Sequence, residues 1–188
     1  MAARVRPAEV EDAAAIGRCH VRAWKAGYRG QMPDDYLEGL DEALRGESWR
    51  GALEAGREAG GEPGTAELGQ NRTRVLVVED DGGEVRGVAS VGAARDAGED
   101  PEATGELWMI NLEPSAWGSG LATALLEEAT AELRRLGHRE AYLWVLDANR
   151  RARRFYEREG WATRGEQKRD VFGERELVEV RYWRDLST

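Results

Sequence analysis

The segment most suited to chemistry is Trp117-Gly118-Ser119-Gly120-Leu121-Ala122, which runs into an amphipathic stretch. Gly118 and Gly120 carry no side chain, so the backbone there can adopt positive φ and approach a ligand closely. The first turn of the following helix has N–H groups without intrahelical partners, and its dipole is positive at that end. Such a turn is an anion site suited to a pyrophosphate, with the Ser119 hydroxyl as an added donor. The same spacing also serves an ordinary tight strand-to-helix connection. The three-glycine dinucleotide fingerprint is not met, and the turn lies deep in the chain, after two antiparallel strands, which argues against a Rossmann fold. The Gly-Lys-Ser/Thr phosphate loop is absent.

Two further groups carry proton chemistry. Asn149, Phe155 and Tyr156 fall in a short helical stretch closed by Gly160, where Asn149 is a good N-cap and Tyr156 brings a phenol. Glu106 opens a strand-like segment ahead of the glycine turn and is the leading general-base candidate, with Glu113 second. Each has a plainer reading: a cap, a core tyrosine, a solvated strand-end carboxylate. His20 falls on an apolar helix face and reads as a core histidine, and His138 follows a helix end and reads as surface. Two histidines and one cysteine form no metal constellation. Arg150, Arg151, Arg153 and Arg154 make a basic cluster, read first as a solvated helix face and second as a phosphate partner.

The elements that must position these groups follow from periodicity. Arg4–Arg6 reads as a short strand and Ala8–Ala26 as a helix, with a second helical stretch from Pro33 through Leu44 toward Leu53. Ala55–Arg72, rich in glycine, reads as loop. Arg74–Glu79 and Val85–Val91 flank Asp80-Asp81-Gly82-Gly83, a strong hairpin signal. Gly105–Leu112 is strand-like. The stripe Ala122, Leu126, Ala129, Leu133 and Leu136 makes a long helix capped by Gly137. Ala141–Leu146 is a buried strand, and Trp161–Arg169 with Glu176–Trp183 form a last hairpin around Phe172-Gly173.

Leu107–Pro114 followed by Trp117–Ala122 resembles the acetyl-CoA signature of the GNAT family of N-acetyltransferases, with Gly120 and Ala122 at its small-residue positions. Trp117 stands where that signature usually has Arg or Gln, a departure similar to the ribosomal-protein acetyltransferase branch. Asn149, Ala152, Phe155-Tyr156 and Gly160-Trp161 resemble the family's second signature, and Ala23–Gly30 with Pro33, Tyr36 and Leu40 resemble its opening helices. The likeness runs from about Arg4 to Trp183. It implies a mixed α/β GNAT fold in one domain, residues 1–188: a mostly antiparallel twisted sheet of six to seven strands flanked by helices, with a splayed parallel strand pair holding acetyl-CoA.

The resemblance also implies roles. Backbone groups around Ile110 and Leu112 would hold the pantetheine arm and thioester carbonyl. Trp117, Gly118, Ser119, Gly120, Leu121, Ala122 and Thr123 would hold the pyrophosphate, and Asn149 would contact the cofactor arm. Tyr156 would protonate the departing thiolate, and Glu106 or a water relay would take the amine proton. Trp24, Tyr28, Tyr36 and Phe172 would line the acceptor pocket. The activity implied is acetyl transfer to a primary amine of a small molecule or a peptide or protein N-terminus, with no metal. The alternative is a non-catalytic acyl-CoA-binding sensor.

Composition sets outer bounds. The chain has 188 residues, 41% hydrophobic and 34% charged, enough for a real core. A net charge of −9 disfavours nucleic acid as partner. No stretch approaches the ~18 apolar residues of a membrane span, and the start at Met1-Ala2-Ala3-Arg4 lacks an apolar signal core. The lone Cys19 fits a reducing compartment. A cytoplasmic monomer or homodimer is the expectation.

Overall fold

The computed structural model describes residues 3–173 and 175–187; the opening Met1-Ala2 lies outside them. A sheet of eight strands runs through the molecule. The strands are β1 (Arg4–Pro7), β2 (Thr65–Leu68), β3 (Asn71–Glu79), β4 (Val85–Ala93), β5 (Thr104–Leu112), β6 (Glu140–Leu146), β7 (Ala162–Phe172) and β8 (Arg175–Asp185). Their order is β1-β3-β4-β5-β6-β8-β7, with β2 sharing the outer edge of β3 beside β1. Only β5 and β6 pair in parallel, and only over Thr104–Glu106 against Glu140–Tyr142.

Helices cover both faces. α1 (Ala13–Gly27) and α3 (Glu42–Glu58) pack on one face, and between them the chain makes the short α2 (Asp34–Glu38). Their crossing is a glycine contact: a Cβ on Gly17 would lie 2.4 Å from the Gly46 nitrogen. α4 (Leu121–Arg135) lies on the other face over β3 and β4, followed after β6 by α5 (Arg150–Arg158). Leu125, Ala129 and Leu133 of α4 are buried against Leu76, Val78 and Ala89 of the sheet. Ile16, Cys19 and Trp49 close the opposite face over Val75, Val77 and Val88.

The structure departs from the sequence expectations in places. The helical stretch after Pro33 is broken at Leu40, so α2 and α3 are separate, with Asp41 capping α3 by accepting from the Leu44 N–H at 2.8 Å. α3 runs on to Glu58, and β2 forms within the segment read as loop. There Gly56 lets the helix approach β2, since a Cβ would meet the Thr65 carbonyl oxygen at 2.2 Å. The sheet has eight strands rather than six or seven. His138 is buried, 8% exposed, behind Gly105 and Leu133, not on the surface. His20 is a core histidine, packed 5.2 Å from the Trp24 ring.

Candidate active site

After Glu106, β5 turns away from β6. The backbone edge of Leu107–Leu112 that faces β6 therefore has no strand partner, while the opposite edge stays bonded to β4. A bulge opposite Ser90 and Val91 leaves Trp108 as the extra residue of β5, which sharpens the local twist. The gap opens into a cavity of about 1140 Å³, lined on one wall by β5 and on the other by β6 and α5. That volume accommodates a large extended ligand.

The glycine turn borders this cavity. Gly118 and Gly120 take φ of +83° and +90°, values that L side chains rarely adopt. A Cβ at either would meet nothing within 4 Å, so the turn is open space rather than a packing contact. No side chain caps α4. The N–H groups of Ala122 and Thr123 are free of helical partners at the positive end of a four-turn helix. Arg150, Arg151, Arg154 and Arg158 line the same cavity, and every cation among its described lining residues comes from α5. Arg153 turns away to Asp147 and the Tyr182 hydroxyl. This donor set fits a phosphorylated, extended cofactor: free N–H groups, guanidinium groups and a strand edge without a strand partner border one cavity.

Of the sequence candidates, Ile110, Leu112, Trp117, Gly118, Gly120, Ala122, Thr123, Asn149 and Tyr156 all border this cavity. Trp117 plays a bracing part: its indole N–H donates to the Leu112 carbonyl at 3.2 Å, and the Arg151 guanidinium stacks 3.6 Å from its ring. Asn149 caps α5, accepting from the Ala152 N–H at 3.1 Å. Thr123 donates to Glu159 at 3.0 Å.

Two of the turn residues do not reach the cavity. Ser119 donates its hydroxyl back to the Ala116 carbonyl at 2.6 Å, and the Leu121 side chain is buried in the core under α4. Their side chains shape the turn instead of meeting a ligand.

Tyr156 is 7% exposed, its ring between Phe155, Trp161 and Tyr182. Burial, then the nearby Tyr28 phenol, pushes its pKa well above the usual tyrosine range, so it holds its proton at neutral pH. Tyr28 is itself pushed up to about 12 by burial and by the charge of Glu179.

Glu106, the leading base candidate, stands apart from the cavity lining. It is 3% exposed. Arg95 pairs with it at 2.5 Å, and the Tyr142 hydroxyl donates to it at 3.0 Å. A carboxylate so engaged holds the 95–106 connection. Glu113 is likewise buried, facing Arg18 at 3.4 Å and Arg22 at 3.6 Å.

Trp24, Tyr28, Tyr36 and Phe172 do converge, as one group of rings on the cavity lining. Tyr36 meets Phe172 edge-on at 4.5 Å, and Trp24 meets Tyr28 at 5.1 Å. Around them pack Met32, Leu37 and Leu146. The sequence reading missed Asn111, Asp170 and Glu179, which also border the space. Glu179 could have been found from its place in the alternation Leu177, Glu179, Arg181 of β8.

The sequence model of the Acetyltransferase (GNAT) family matches residues 41–161, well over half of the chain, and the chain belongs to that family. The uncharacterised N-acetyltransferase YuaI of Bacillus subtilis is 29% identical over 145 residues, covering 77% of this chain and 72% of that protein. A mycothiol acetyltransferase of Geodermatophilus obscurus is 44% identical over 63 residues, covering 34% of this chain; the chain spans only 20% of that relative's length. Among solved structures, Salmonella typhimurium yncA with its cofactor acetyl-CoA superposes with a TM-score of 0.69. It covers 99% of this chain and 95% of its own at 23% identity, a likeness of fold.

Proposed function

We propose that the protein transfers the acetyl group of acetyl-CoA to a primary amine of a small molecule or a peptide or protein N-terminus. The observation that carries this reading is that the uncapped Gly118–Gly120 turn, the edge of β5 without a strand partner and Tyr156 border one cavity.

In this reading the N–H groups of Ala122 and Thr123 hold the pyrophosphate, and the arginines of α5 add charge. Backbone groups near Ile110 and Leu112 align the pantetheine arm and polarise the thioester carbonyl, and Asn149 contacts the arm. Acetyl-CoA, when bound, supplies an activated thioester. The acceptor must attack as a neutral amine, although a lysine-like amine has a pKa of about 10.4. The new C–N bond forms as the C–S bond breaks. Tyr156 donates its hydroxyl proton to the departing sulfur, and the proton lost from the amine restores the phenol through solvent.

The engagement of Glu106 with Arg95 favours a second reading, cofactor binding without transfer. Following free-thiol release from acetyl-CoA with polyamines, aminoglycosides, amino acids and N-terminal peptides separates the two. Amine-dependent thiol release supports transfer; acetyl-CoA binding with no release above background for any amine overturns it. The acidic balance and lone cysteine support a cytoplasmic setting, and no described helix is long and apolar enough to cross a membrane.

A further inference from the structure

The cavity carries charge of both signs. Its described lining cations are Arg150, Arg151, Arg154 and Arg158, all from α5. Two carboxylates, Asp170 and Glu179, line it from the last hairpin. Aromatic rings line it as well: Trp24, Tyr28 and Tyr36 from the α1–α2 region, Phe172 from the last hairpin and Trp144 from β6.

Glu179 is the better placed of the two carboxylates. It sits opposite Leu146 on β8, at the point where β5 has already left the sheet. Asp170 instead spends one oxygen on the Val171 N–H at 2.8 Å and is exposed at the hairpin. Glu179 meets Lys168 across the β7–β8 hairpin at 3.1 Å through Oε2, leaving Oε1 for a second cation. The Lys168 ammonium in turn lies over the Trp144 ring at 4.5 Å, outside the cavity lining.

We infer that Glu179 anchors the acceptor's amine, and that the acceptor is a primary monoamine with an apolar body and no carboxylate of its own. An amine arriving as a cation gains from a carboxylate in a partly desolvated, aromatic surround and loses its proton to solvent before it attacks, while its hydrocarbon body fills the ring-lined space. An α-amino acid would place a carboxylate among aromatic rings and beside Glu179 and Asp170, where Lys168 already pairs with Glu179 and the lining arginines serve the acetyl donor, which costs both desolvation and repulsion. This inference rests on the transfer reading, because it assigns the α5 arginines and the glycine turn to the acetyl donor.

The test is a tryptophan-fluorescence titration of the intact protein, with and without CoA, using phenethylamine and phenylalanine as a matched pair. Trp24 and Trp144 at the cavity report on occupancy. Phenethylamine should bind at least about tenfold more tightly than phenylalanine, and Glu179→Gln should weaken it by about tenfold. Glu179→Asp should restore part of the loss, and acetyl-CoA affinity should stay within about twofold throughout. Lys168→Gln should tighten amine binding, an opposite sign that damage to the hairpin would not produce. Equal binding of the two ligands, or an unweakened Glu179→Gln variant, overturns the inference. If the Gln variant does not fold, the comparison of the two ligands on the native protein decides alone. Absence of acetyl-CoA binding to the native protein would instead overturn the transfer reading, and the amine titration without CoA would still judge Glu179.

Discussion

Burial governs how the two most informative titratable side chains hold their protons. Tyr156 keeps its proton because a phenolate in its surround would be poorly solvated, and that makes it a donor throughout the neutral range. Tyr156→Phe should lower kcat by about a hundredfold with acetyl-CoA affinity nearly unchanged, since only a proton donor is lost. Steady-state kinetics alongside direct cofactor titration check it; an unchanged kcat removes the acid role. His20 behaves in the opposite sense. Burial, assisted by Arg45, lowers its pKa to about 4, so the unfolded chain binds a proton that the folded one refuses between about 4 and 6.5. The stability His20 contributes is therefore full above its unfolded pKa and lost as pH falls toward 4, amounting to about 3 kcal/mol. Thermal unfolding across that pH window should show a drop that shrinks in His20→Gln, measured as the difference between the two proteins.

The elements that carry the site were largely legible because their signals are local. The period of α4, the Gly137 stop, the Asp80–Gly83 hairpin and the Asn149 cap all rest on residues within a few positions of each other. Contacts between distant elements were not legible. Glu106 has the right chemistry for a base, but Arg95 and Tyr142 take it, and no spacing reveals that pairing. Gly56 reads as loop, whereas it serves a close approach of α3 to β2. Likewise Gly17 and Gly46 look like weak points in their helices and in fact permit the α1–α3 crossing. Gly17→Ala gains about 1 kcal/mol of helix propensity. It must also separate two backbones that a Cβ would approach to 2.4 Å. Overpacking of that kind costs about 1–3 kcal/mol, and against rigid backbone the upper end applies. The net should be a lower Tm, by about 2–8 °C for a chain of this size, in calorimetry. A raised Tm would mean that the helices part without cost.

For the whole molecule, charge distribution matters more than charge total. A net −9 would repel an anionic cofactor if it acted as one body. At physiological salt, however, fields reach only about 8 Å, so the α5 arginines dominate where they line the cavity. Acetyl-CoA affinity should accordingly fall as salt rises, and Arg154→Ala should weaken both the affinity and its salt dependence. The central claim is that acetyl-CoA occupies this cavity with its pyrophosphate at the Gly118–Gly120 turn. Isothermal titration of acetyl-CoA into the native protein and into Gly120→Asp tests it most directly. One site per chain is predicted, with binding to Gly120→Asp weakened by at least about a hundredfold, because a strained backbone and a new carboxylate replace an open anion site. No saturable binding to the native protein, or equal binding to both, would contradict the account.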